Sequence, residues 1–554
     1  MLRRRLPFSV ALLGILSATA WASEGDRSAA AEPSAPGLER QADNGPPPAS
    51  APGDVAPAPA SAAPALATDF AERLAADAKL SAADREDRVA LAKFYVARQS
   101  APVWVTAAGL SPQGAAVMAE IRKADDWGLE ASAFRLPAIT AGAELAGGQR
   151  ADAEIAVSLA ILKYARHARG GRAEPTTLSR NLDRKLPLRD PGQVIDEIAK
   201  AASPDQYLRG LHPQHPQFEA LRQKYLALRR GQPVAQPAAP PEADSKGGKT
   251  KAAATPPEAP SARKLLVNME EWRWMPEDLG DFYVTVSIPE FTLRVVKSGK
   301  VIHAERVIVG KVDKQTPVFS DEMEQVIFHP FWGVPDSIKR NEILPSLARG
   351  KTTVLTRHNL RIQRGGRDID PEAVDWATVD MRQFHVYQPP GGGNVLGVVK
   401  FRFPNKHEVY MHDTPDKKLF EASVRTFSHG CMRVRDPLKL AELLLAEDKD
   451  WPASRVAAAV SNGRQDNQIN LTRKFPVHIT YFTAAVAEDG KLKTYADIYG
   501  HETRIAMGME GKAHLIPKTK EDTGPIRAEA IGQLAETKSG AARREWINKA
   551  FSNN

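Results

Sequence analysis

The sequence predicts an α+β multidomain protein, with a mainly α domain in its N-terminal half and a mainly β domain in its C-terminal half. A change of hydrophobic period carries this reading. Between Asp69 and Arg230 apolar residues recur at three- and four-residue spacing; from about Lys264 the spacing becomes two. With 554 residues, 42% of them hydrophobic, the chain can fill about two to four domain cores.

Residues 1–22 read as a secretory signal peptide. Arg3, Arg4 and Arg5 form the positive start, Val10 to Leu16 the apolar stretch, and Ala20-Trp21-Ala22 a small-x-small cleavage site. The alternative is an uncleaved N-terminal anchor, but no apolar run reaches the roughly 18 residues of a clear span. Residues 23–66 are a Pro/Ala-rich tether. Residues 67–230 form the helical domain, in segments such as GAAVMAEIRKA, AEIAVSLAILKYARHA and PQFEALRQKYLALRR. His212 and His215, in LHPQHP, mark a loop rather than a metal site.

Residues 231–263, with seven prolines, form a low-complexity linker. The β domain follows over 264–516. YVTVSIPEFTLRVV, the turn Ser298-Gly299 and KVIHAERVIVG make a hairpin, and further strands are expected at 398–403, 407–412 and 477–482. Asp436 is a natural N-cap, with Pro437 at the first helical position of PLKLAELLLAE. The stretch 333–397 is an insertion long enough to serve as a lid. Residues 517–554 are a polar tail.

The 75 Lys+Arg against 67 Asp+Glu give a net charge of +8, and removal of the three signal-peptide arginines leaves +5. Charge this modest and dispersed gives no reason to expect a nucleic acid partner; a polyanionic wall or membrane surface fits it as well. A single cysteine excludes an intramolecular disulfide framework and a Cys-rich zinc module. In an oxidising compartment an unpaired thiol is buried and inert, reserved for another chain, or a nucleophile.

Cys431 stands in Ser428-His429-Gly430-Cys431-Met432-Arg433-Val434, nineteen positions after His412 in Tyr410-Met411-His412-Asp413-Thr414-Pro415. A thiol attacks carbonyls as thiolate, and imidazole is the natural base for it. Two histidines compete for that role. His429 shares a face with Cys431 if the segment is extended, and His412 ends a predicted strand that tertiary structure can bring opposite the thiol. Gly430 allows a tight turn whose backbone amides could face an oxyanion. A zinc site built from His412, His429 and Cys431 lacks the tight repeated spacing such sites use. A structural Cys beside a core His is the bland reading; export, the glycine and the second histidine weigh against it.

At these residues the chain resembles a known family. SHGCMRV is similar to the signature of the L,D-transpeptidases with a YkuD-type catalytic domain. MEEWRWMPEDLG (269–280), QTPVFSDEM (315–323), VPDSIKRNEILP (334–345) and FPNKHEVYMHDTP (403–415) resemble its large, scaffold-bearing YcbB-type branch. The resemblance implies a helical scaffold domain, a mainly β catalytic domain, and a capping subdomain over 333–397. It implies Cys431 as nucleophile, His412 as general base, and His429 as an orienting group, with an oxyanion hole from the Gly430 and Cys431 amides. Ser428, Arg433, Tyr410 and Asn394 become expected substrate-binding positions, with Arg433 holding a carboxylate or fixing the loop. No cofactor and no metal are implied.

The implied reaction is acyl transfer between peptidoglycan stem peptides in the periplasm. A tetrapeptide donor acylates the cysteine, D-Ala leaves, and a diamino acid side chain of a neighbouring stem resolves the thioester as a 3→3 cross-link. Carbapenem-type β-lactams are implied covalent inhibitors. Two departures stand out. The peptidoglycan-binding module common in this branch has no counterpart in 231–263, and Asp413 follows the base histidine where some members have glycine. The same thioester could also be resolved by water (an L,D-carboxypeptidase), by a free D-amino acid, or by a lysine of an envelope protein. A papain-like peptidase is disfavoured because His precedes Cys closely. A non-enzymatic wall-binding scaffold is the alternative from another class.

Overall fold

The computed structural model describes residues 70, 72–75, 79–139, 144–236 and 261–517. The expected signal peptide and tether, the centre of the linker and all but the first residue of the tail lie outside the described residues.

The helical domain contains α1 (Ala82–Ala97), α2 (Pro112–Ile121), α3 (Gly147–Gly170), α4 (Pro191–Lys200) and α5 (Pro216–Arg229). Ser81, Ser111 and Asp190 cap α1, α2 and α4 by accepting backbone amides, and proline opens α2, α4 and α5. Helix α3 buries residues on most of its circumference, as a central helix must. Its Glu154 is fully buried and accepts the amides of Val103, Trp104 and Val105 and the Tyr95 hydroxyl. His212 stacks on Trp127 and bonds the Tyr164 hydroxyl, and His215 accepts the Gln217 amide at the start of α5. Both histidines therefore have structural partners.

The expected linker ends earlier than the composition suggests. Ser261 caps a helix, α6 (Ala262–Arg273), whose residues from Lys264 onward are almost all buried. Met269 and Trp272 of α6 join Phe218 and Leu221 of α5 in one apolar cluster with Ala484, Val486 and Leu492. The period-two reading passes over this helix because its polar residues, Asn268, Glu270, Glu271 and Arg273, are buried too.

In the β domain, β1 (Phe282–Ser287), β2 (Thr292–Lys297), β3 (Lys300–Gly310) and β4 (Ser320–Phe328) come first along the chain. Ser298 and Gly299 both have positive φ, +48° and +72°, as the two-residue turn between β2 and β3 requires. The insertion then carries β5 (Trp332–Gly333), β6 (Arg361–Arg364), β7 (Arg367–Asp368) and β8 (His385–Gln388), a separate four-stranded sheet. It has its own core, including Ile343, Leu344, Leu347, Trp376, Met381 and Phe384. The chain returns through β9 (Val399–Arg402), β10 (Met411–His412), β11 (Thr426–Ser428), β12 (Met432–Val434), α7 (Pro437–Lys449) and β13 (Asn467–Thr480).

The strand order β3-β12-β10-β9-β4-β13-β1-β2 closes where β2 pairs with β3, giving an eight-stranded barrel. Strand β11 adds to β3 in parallel, outside the ring. Alternate residues fill the interior: Val307, Val309, Val326, Phe328, Val399, Phe401, Met411, Met432 and Val434 share one core. Leu440, Ala441, Leu444 and Leu445 of α7 pack into it, and Asp436 caps that helix as expected. The expected strand 407–412 shortens to its last two residues, because Glu408 has φ +55° and the Asn405 side chain closes a turn on Phe403 and Val409.

The helical domain is keyed into the barrel. Leu178 and Leu182 lie in the barrel's core cluster. The Asp183 amide donates to Val318 O, the Val318 amide to Asn181 O, and the Asn181 side chain to Gln315. The segment 315–318 therefore reaches β4 with one side held by the helical domain.

Candidate active site

Parallel pairing of β10 with β12 sets Met411 beside Met432 and His412 beside Arg433. The Met432 amide donates to Tyr410 O at 3.0 Å, which places Cys431 next to Tyr410. Because Met411, Met432 and Val434 face the core, Tyr410, His412, Cys431 and Arg433 share the opposite face. On the other side of β10, β9 pairs Lys400 with His412, so Lys400 joins that face.

The nucleophile turn is held by its own neighbours. Gly430 has φ +120°, a conformation that a side chain would strain. Ser428 Oγ donates to Cys431 O at 2.5 Å and accepts the Gly430 amide at 3.2 Å. Thr316 Oγ1 donates to Gly430 O at 2.7 Å and accepts the Gly310 amide at 2.9 Å. The Tyr499 hydroxyl donates to Gly310 O at 2.5 Å.

His412 is 5% exposed, and its Nδ1 lies 2.5 Å from Asp413 O. A carbonyl oxygen only accepts, so Nδ1 carries the proton and Nε2 is the basic nitrogen. Asp413 is fixed in turn: its carboxylate accepts the Val398 amide at 3.0 Å and the Lys417 ammonium at 2.5 Å. Asp413 thus buttresses the histidine through its backbone. Gly397 leaves the space this carboxylate fills, since a Cβ there would lie 2.2 Å from Asp413 Oδ2.

Electrostatically the site is neutral at its centre and positive around it. Burial, reinforced by Arg433, Lys400 and Lys417, pushes His412 down to about 3. Burial pushes the Cys431 thiol up, while hydrogen bonds from Tyr410 and the charges of Lys400 and Arg433 pull it back down. Trp332, in β5 of the insertion, bonds the Tyr410 side chain, which in turn bonds Cys431. The Lys400 ammonium lies 3.9 Å from the Tyr410 ring centroid, and the Tyr410 and His412 rings meet edge to face at 5.6 Å.

The expected residues are thus divided. Cys431, His412, Tyr410 and Arg433 come together on one face. His429 and Gly430 form the turn before the thiol, with His429 bonded to Glu342 of the insertion at 2.8 Å. The structure places Ser428 and Asn394 in backbone clamps. Asn394 is 1% exposed; its amide nitrogen donates to Pro330 O and Pro389 O and its oxygen accepts the Leu396 amide. Thr316, Lys400 and Trp332 were not among the expected site residues. The motif QTPVFSDEM signalled the first; Lys400 is joined to the site by strand register and Trp332 by its bond to the Tyr410 side chain.

Residues 281–476 match the L,D-transpeptidase catalytic domain, YkuD, and residues 89–224 match the scaffold domain. A Haemophilus influenzae protein named "Putative L,D-transpeptidase" is 30% identical over 254 residues, 45% of this chain and 50% of the relative. The chain therefore matches about half the length of that relative. Among solved structures, an L,D-transpeptidase from Mycobacterium smegmatis is 12% identical over 36% of this chain and 58% of that chain, with a TM-score of 0.17. The L,D-transpeptidase LdtMt1 in complex with imipenem is 14% identical over 36% of this chain and 59% of that one, also at 0.17. The Ldtfm–avibactam carbamoyl enzyme is 13% identical over 48% and 80%, at 0.14. By these matches the chain carries an L,D-transpeptidase catalytic domain of the YkuD type behind an N-terminal scaffold domain.

Proposed function

We propose that the protein is a peptidoglycan L,D-transpeptidase that forms 3→3 cross-links through a thioester on Cys431. The observation that carries this reading is the β10–β12 pairing, which sets a buried neutral imidazole and a thiol on one face with the basic Nε2 uncommitted to the backbone.

In this reading the donor stem lies between the barrel face and the capping insertion. Nε2 of His412 takes the Cys431 proton as sulfur attacks the carbonyl of the diamino acid–D-Ala bond. The Cys431 amide takes the developing oxyanion, since the Gly430 amide is engaged by Ser428. His412 then returns the proton to the departing D-Ala amine. The acceptor amine attacks the thioester, passes a proton to His412, and releases the thiol. Lys400 and Arg433 surround these steps with positive charge suited to an oxyanion and to the stem's carboxylates. No described helix is long and apolar enough to cross a membrane. We place the protein in the periplasm, at the wall that holds its substrate.

The test is to incubate purified protein with tetrapeptide-bearing muropeptides and analyse the products by mass spectrometry. The reading expects 3→3 dimers from the unaltered protein and none from Cys431→Ala. Monomers trimmed to tripeptides with no dimers would support the carboxypeptidase alternative instead. Dimers from Cys431→Ala would remove the proposal. Incubation with a carbapenem should add one adduct at Cys431.

A further inference from the structure

The insertion segment 334–345 supplies none of the groups on the barrel face, yet one of its side chains reaches the nucleophile turn. Glu342 Oε1 lies 2.8 Å from His429 Nε2, and the glutamate side chain is only 9% exposed. A carboxylate burying itself this far from solvent needs its partner.

The local backbone aims it there. Glu342 sits in a π-helical turn, Lys339–Ile343, wedged between the α-turns Asp336–Ile338 and Leu344–Leu347. Such a turn inserts a residue and rotates the side chains around it, and it recurs at functional positions. Two anchors fix the turn to the insertion. Lys339 Nζ donates to Phe384 O at 3.0 Å, and Ile343 and Leu344 are buried in the insertion's own core. The glutamate is therefore held by the insertion, whereas His429 belongs to the barrel. Lys311, directly after β3, places a positive charge near the same carboxylate.

We propose that Glu342 is a positioning residue for acyl transfer: it fixes the His429 imidazole at the nucleophile turn and makes seating of the capping insertion part of the assembled site. A carboxylate only accepts, so His429 Nε2 carries a proton and the insertion sets the ring's orientation. With the insertion lifted, His429 loses that partner and the turn before Cys431 loses a restraint. Acylation is then coupled to closure, which is also what keeps water from the thioester. This inference rests on the acyl-transfer reading above.

The experiment measures the second-order rate of Cys431 acylation by imipenem, using intact mass on the full chain. The variants are Glu342→Ala, Glu342→Gln, His429→Ala and the double variant Glu342→Ala/His429→Ala. Glu342→Ala is expected to acylate about tenfold more slowly. Glu342→Gln keeps an acceptor for the ring and should recover most of that loss. In the His429→Ala background, Glu342→Ala should cost nothing further, because its partner is already gone. Equal losses in both backgrounds, or a Glu342→Gln no better than Glu342→Ala, would overturn the inference by making Glu342 a mere packing residue. An unaltered protein that takes no adduct at Cys431 would instead sink the acyl-transfer reading, and this inference with it.

Discussion

Thr316 Oγ1 donates to the carbonyl oxygen of Gly430 at 2.7 Å while accepting the amide of Gly310 at 2.9 Å. One fully buried hydroxyl thus joins the residue before the nucleophile to the end of β3. Thr316→Val keeps the shape and removes the bridge, leaving a buried carbonyl and a buried amide unpaired. The variant should lose about 1–3 kcal/mol in urea unfolding and acylate more slowly with imipenem. A valine variant equal to the parent in both measurements would mean that the turn is held elsewhere.

The second prediction concerns the base. Because burial holds His412 at about 3, its imidazole is neutral across the whole working range. The availability of the base should therefore not decline between about pH 8 and about pH 5, as it would for an imidazole with the ordinary value near 6.5. Because Nε2 takes the thiol's proton during attack and burial keeps the thiol protonated, acylation should stay nearly level over this range, without a break near 6.5. A distinct midpoint there would show His412 titrating as if solvated. His412→Ala should slow acylation more than His429→Ala; the reverse order would move the base role to His429.

How much of this could be read beforehand differs by the range of the contacts involved. The α1–α5 periodicity, the β2–β3 turn at Ser298-Gly299 and the cap at Asp436 are local, and each was legible. The motif anticipated His412 and Cys431 as neighbours, and the β10–β12 pairing sets them on one face. Closure of the barrel was not, because β2 and β3 pair both through a hairpin turn and as the seam of a ring whose other members lie as far away as residue 480. Lys400 reads as an ordinary charged position in VVKFRF until register sets it opposite His412. Ser428 and Asn394 look like polar groups for a ligand; only the fold shows the backbone atoms they engage. Glu342 is in sequence one more polar position of the 333–397 insertion, until the π-turn aims it at His429.

Acid should destabilise the fold through a set of buried histidines. Burial lowers His412, His167 and His501 to about 3 and His478 to about 4. In the unfolded chain these groups bind protons near 6.5, so below that value the unfolded state holds more protons than the native one. Their contribution is complete above about 6.5 and is lost as pH falls toward 3 to 4, by at most about 1.4 kcal/mol per pH unit for each histidine. Urea midpoints measured at about pH 7 and about pH 5 should differ clearly, with the lower value in acid. Equal midpoints would mean that these rings are hydrated in the native state.

Lys400 offers the most selective test of the electrostatics. It forms no ion pair among the described residues, burial lowers its own proton affinity, and its charge pulls the Cys431 thiol down against burial. Lys400→Met retains the stem that packs on Tyr410 and deletes the charge. The thiol should then rise further, and alkylation by iodoacetamide near neutral pH should slow several-fold, with its pH profile displaced toward alkali. Stability should hold or increase, because a partly desolvated cation with no ion pair among the described residues has been replaced by an apolar group of similar length. Those two changes have opposite signs, so general damage to the fold cannot imitate them. An unchanged alkylation profile would show that the charge of Lys400 is screened from the sulfur and serves the Tyr410 ring alone.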